Sequence, residues 1–92
     1  MLFIVNWSIT SENRNRAIER FLKTGAPAPD GVTMLGRWHA VGGMTGFGVA
    51  ETDDITLMQK WVLQWSDLLT MEVSPALTDE QAAPLLAATL GQ

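Results

Sequence analysis

A chain of 92 residues without cysteine can form neither a disulfide, a thiolate nucleophile nor a zinc–thiolate site. Ten acidic residues against six basic ones leave a net charge of -4, which argues against a binder that tracks nucleic-acid phosphates. With 47% hydrophobic and only 17% charged residues, so short a chain is expected to bury surface against a second copy of itself.

Residues 2–9 predict a strand, because side chains alternate between faces with period two. Phe3, Val5, Trp7 and Ile9 form one face, and Leu2, Ile4, Asn6 and Ser8 form the other. Both faces begin apolar, as in a central strand covered on both sides. The opening run 1–5 is too short for a signal segment and lacks a basic flank. No apolar stretch approaches the roughly eighteen residues of a membrane span. The expectation is a cytoplasmic protein with no membrane partner.

Thr10-Ser11 predicts a helix N-cap with Glu12 in the first turn. Ala17, Ile18, Phe21 and Leu22 then mark the apolar stripe of an amphipathic helix. Gly25 ends it, and the rigid turn 26–31 cannot continue it. The basic residues between Arg14 and Lys23 read as a solvated face.

Stretches 32–40 and 44–52 predict a hairpin about Gly42-Gly43. Strict alternation places Trp38 with Met34, Gly36 and Ala40, and Arg37 and His39 with Leu35. Across the turn, Trp38 meets Phe47, Arg37 meets Gly48, and His39 meets Gly46. One face is bulky and apolar. The other sets a cation and an imidazole over a floor nearly free of side chains, which suggests a hollow.

Thr52-Asp53-Asp54 predicts the cap of a second helix running to about residue 68. Met58, Trp61, Val62, Trp65 and Leu69 recur at helical spacing and read as core. Residues 69–76 predict a last strand, in which Pro75 suits an edge or a strand end. Thr78 and Gln81 fit a capping box for a terminal helix, with Pro84 expected to kink or restart it.

The order strand, helix, strand, strand, helix, strand is the split βαβ pattern of a ferredoxin-like α+β fold, here a single domain with a short C-terminal helix. Two helices cover one face of such a sheet. Leu2, Ile4, Leu35 and Ala50 are expected on the other, which a second copy would cover to give a homodimer with a hollow between the sheets.

Gly36-Arg37-Trp38-His39 with its glycine-rich turn, Glu51-Thr52-Asp53-Asp54, and Lys60-Trp61 with Gln64-Trp65-Ser66-Asp67-Leu68 resemble a bacterial family, the domain of unknown function DUF3303. The likeness extends from Asn6-Trp7 through Glu72-Val73-Ser74-Pro75. It implies a dimeric α+β barrel. That group includes cofactor-independent monooxygenases, muconolactone isomerases, haem-degrading enzymes and stress-response domains. The resemblance implies no particular activity.

The candidate inner-face residues are Arg37, His39, Asn6, Ser8 and Glu72, with Gly46 and Gly48 leaving the space. An arginine fork suits a carboxylate or enolate oxygen. An imidazole exchanges protons near neutral pH. A single histidine is a poor basis for zinc or haem, so no metal and no cofactor are expected. Two readings stay open. One is a pocket for a small acidic or aromatic ligand near Arg37 and His39, serving proton transfer or oxygen addition. The other is a non-catalytic interaction module with a packed space between sheets.

Overall fold

The computed structural model describes residues 1–91. Its elements are β1 (Leu2–Ile9), α1 (Arg14–Thr24), β2 (Thr33–His39), β3 (Thr45–Glu51), α2 (Ile55–Trp65), β4 (Leu69–Ala76) and α3 (Asp79–Leu90). The four strands form one antiparallel sheet in the order β2-β3-β1-β4, the ferredoxin-like α+β arrangement. The period-two runs dictate this sheet. Phe3 and Val5 of β1 are buried, while the alternate residues Ile4 and Asn6 are exposed.

Met58, Trp61 and Trp65 of α2 cover the buried side, clustering with Phe3, Val5 and Ala50. Phe21 of α1 and Met34, Leu69, Met71 and Val73 of the strands pack around that cluster. Of the expected helical stripe, Met58, Trp61 and Trp65 are therefore core, Val62 is half-buried, and Leu69 opens β4 instead. Ala50, expected on the uncovered face, is only 1% exposed and lies on the helix side, opposite Phe3 and Met34. β4 pairs with β1 alone, so Pro75 sits on an edge strand, where a missing N–H is tolerated.

The helix ends are set locally. Residues 10–13 close a turn in which the Asn13 N–H donates to the Thr10 carbonyl at 3.1 Å. That turn consumes the expected cap, so α1 begins later, behind Asn13. Gly25 ends α1 in the left-handed region at φ 74°, as its lack of a Cβ allows. α2 starts from Asp54, whose side chain accepts the Thr56 N–H at 2.9 Å. It stops at Trp65, and the following turn tucks Leu68 into the interior. α3 carries the capping box between Thr78 and Gln81 and runs unbroken past Pro84, with no residue buried.

One irregularity reorganises β2. The register shifts between Met34 and Gly36, so Leu35 is an extra residue in the ladder. A bulge of this kind breaks strict alternation. Met34 pairs with Ala50 on the helix side, whereas Gly36 pairs with Val49 and Trp38 with Phe47 on the outer side. The apolar pair Trp38 and Phe47 thus faces away from the helices, and Arg37 and His39 face towards them.

Candidate functional site

Beyond the bulge, the pairings across the hairpin follow the glycine turn. Arg37 lies opposite Gly48 and His39 opposite Gly46. Gly43 donates to the Ala40 carbonyl at 3.0 Å, and Gly42 and Gly43 both take positive φ, 109° and 82°. The ladder carries Trp7 to Gly46 and Val5 to Gly48. A Cβ at Gly46 would collide with the Trp7 indole, so this glycine is a seat for the tryptophan. A Cβ at Gly48 would come 3.0 Å from the Gly36 carbonyl oxygen.

Above this floor α1 leaves an open pocket of about 290 Å³ between itself and the sheet. Its walls include Trp7, Phe21, Met34, Met71, Trp61 and Trp65, with Arg37 and His39 among them. The hollow exists, but it lies beneath a helix of the same chain.

A row of rings and charges crosses it. His39 meets Trp7 edge-on at 5.6 Å between centroids and Phe21 at 5.4 Å. The Arg37 guanidinium stands 4.9 Å from the Phe21 centroid, a cation–π distance. Its Nη1 donates to the Ala26 carbonyl at 2.8 Å and its Nη2 to the Gly25 carbonyl at 3.1 Å. Arg37 thereby holds the C-terminal end of α1, where Ala26 adopts a left-handed φ of 44°. Burial among apolar groups lowers its pKa from the ordinary value, yet a guanidinium remains charged. Among the described residues the ion pairs are Met1 with Asp53 and Arg20 with Asp67, so no carboxylate neutralises Arg37. Two of five N–H groups serve the carbonyls, and the other three have no hydrogen-bond partner among the described residues.

The other expected site residues stand elsewhere. Asn6 and Ser8 point to the outer face of β1, where Asn6 pairs with Glu72 and Ser8 with Thr70. The sheet separates them from Arg37, although Asn6 shares a second, outer hollow with His39 and Gly46. The register between β1 and β3 is the cause: it sets Gly48 and Gly46, and with them Arg37 and His39, on the Val5 and Trp7 face rather than the Asn6 and Ser8 face, and alternation alone does not announce it. Phe21, Trp61 and Trp65 join the site instead. The Phe21 contact was open to detection, because it lies on the apolar stripe of α1, facing the sheet.

Among the described residues, no group of three His, Cys, Asp or Glu side chains could hold a metal ion, and no helix is long and apolar enough to cross a membrane. A family model described as a domain of unknown function, DUF3303, matches residues 1–90. The chain belongs to this family. No curated protein sequence matches this DUF3303 chain. Among solved structures it is similar to a protein from Deinococcus radiodurans described as a candidate antibiotic biosynthesis monooxygenase, at 11% identity and a TM-score of 0.46. That match covers 85% of this chain and 94% of the other. A NIPSNAP domain protein from Burkholderia xenovorans is similar at 12% identity and a TM-score of 0.47, covering 85% and 96%. The chemistry of this DUF3303 site therefore rests on its own residues. They offer an aromatic slot with one unneutralised cation and one imidazole.

Proposed function

We propose that this protein binds a small, largely apolar organic acid in the pocket between α1 and the sheet, and that it acts as a homodimer. The carrying observation is the Arg37 guanidinium, which lines an aromatic pocket with no carboxylate partner and with donors to spare. An anion there gains charge-assisted hydrogen bonds in surroundings that screen poorly. Trp7, Phe21 and Trp61 supply the apolar walls that a flat ring would fill. His39, exposed beside Trp7 and Phe21, is the group placed to exchange a proton with the occupant. Proton transfer is the chemistry these two side chains support.

The dimer reading rests on the outer sheet face. Leu35 is 56% exposed, Trp38 52% and Phe47 45%, and none is covered by a helix of its own chain. Patches of this kind mark interaction surfaces.

Three tryptophans border the pocket, so intrinsic fluorescence reports its occupancy. Titration with benzoate-like acids should quench it saturably. The matching neutral amides should bind about tenfold more weakly or worse, the usual contribution of a charged hydrogen bond. Arg37→Gln should erase that preference. Equal binding of acid and amide, or no saturable binding of either, would remove the proposal.

A further inference from the structure

α3 presents a physical problem. It has twelve residues, carries Pro84 inside, and buries none of its side chains. Isolated helices of such length are marginal in water, and an interior proline weakens them further. Its leucines are also open, with Leu85 62% exposed, Leu86 65% and Leu90 89%. The capping box is encoded, yet nothing among the described residues covers the leucine face.

The molecular surface measures the deficit. The chain exposes 6473 Å². A folded monomer of its 10.1 kDa exposes roughly 5,300 Å². The excess of roughly 1,200 Å² exceeds the roughly 800 Å² per partner of a standard protein interface. The radius of gyration agrees, at 15.6 Å against roughly 12 Å for a compact chain of this length.

We infer that α3 is an arm exchanged between two copies of this chain, its leucines docking on the partner copy's outer sheet face around Leu35, Trp38 and Phe47. Each copy carries both an arm without a seat and a seat without a cover. Trp38 and Phe47 stack with centroids 5.1 Å apart and planes 26° from parallel, giving the seat a broad apolar floor. A two-fold axis then covers both arms and both sheets at once, and the assembly closes at two copies. This inference rests on the dimer reading above and adds which surfaces meet.

The absence of native cysteine makes the test clean. Leu86→Cys and Phe47→Cys are introduced separately into full-length chains of distinguishable mass. The two chains are mixed, equilibrated and treated with a short bis-maleimide, while sedimentation reports the oligomeric state. The expected product is the mixed Leu86–Phe47 cross-link in a dimer. A dimer that cross-links only between two Phe47→Cys copies pairs sheet with sheet, and it overturns the arm while leaving the dimer standing. Cross-links only between two Leu86→Cys copies likewise overturn the seat. A monomer overturns both. As a second arm, Leu86→Glu should weaken dimerisation at least tenfold while the Trp61 and Trp65 core stays native by near-ultraviolet circular dichroism. An unchanged dimer of that variant would also overturn the inference.

Discussion

A side chain added at Gly48 would enter the same hollow as Arg37, starting 3.0 Å from the Gly36 carbonyl oxygen. Valine suits a strand, but here its branches would press on the ladder and occupy the pocket. Gly48→Val should therefore cost about 1–3 kcal/mol and abolish acid binding together. A thermal melt paired with a fluorescence titration checks both, and an unaltered protein would show that the space is not on this face. Trp61 makes the opposite case. It is 7% exposed and packs within the central cluster, although its edge also borders the pocket. Trp61→Ala should remove about 3–5 kcal/mol, lowering the melting temperature by roughly 12 °C or more. A melt that hardly moves would make Trp61 a ligand contact first and a core residue second.

At the scale of elements, α1 is pinned to the end of α2 by one arginine. Arg20 donates to both carboxylate oxygens of Asp67, at 2.8 and 2.7 Å, and to the Gln64 carbonyl at 3.1 Å. It also lies over Trp65, 5.2 Å from the ring centroid. The hydrogen bonds from Arg20 hold the Asp67 carboxyl below the ordinary carboxylate range, and those from Thr56 do the same for Asp54 at the start of α2. A depressed carboxylate takes up protons more readily in the unfolded chain. Its stabilisation is complete above the unfolded value, near 4, and is lost as pH falls through the lower folded value. The melting temperature should hold from neutral pH to about 5 and then decline with acid. Asp67→Asn should lower the neutral plateau and flatten part of that decline; an unchanged slope would show that the pair contributes nothing. The strands themselves were legible in the residues: β1 and β4 follow from alternation and flanking turns, and the hairpin pairing from Gly42-Gly43. What alternation cannot express is one surplus residue. Leu35 looks like any other strand residue, yet its insertion puts Met34 on the helix face with Arg37 and His39 and leaves Leu35 itself exposed. Nor does alternation say how β1 aligns with β3, and that register, not the bulge, puts Asn6, Ser8 and Glu72 on the face opposite Arg37. The start of α1 was obscured by a rival local bond, the turn from Asn13 to Thr10.

Across the whole molecule, cohesion is unevenly spread. α2 sinks Met58, Trp61 and Trp65 into the interior, while α1 contributes only Ala17 as a buried residue and leaves Leu22 76% exposed. At its ends α1 depends on polar clasps: Asn13 to the Leu68 carbonyl, Arg20 to Asp67, and Arg37 to the carbonyls of Gly25 and Ala26. Elements held by few buried apolar contacts detach at a lower free energy than the global transition. Amide hydrogens of α1 should therefore exchange with deuterium well before those of β1, through a partial opening that leaves the sheet and α2 intact. Peptide-resolved mass spectrometry would detect it, and simultaneous exchange of both segments would deny α1 this independence. Such breathing would widen a pocket that is already open to solvent. A guest lodged beneath α1 would damp that motion, slowing α1 exchange while leaving β1 unaffected.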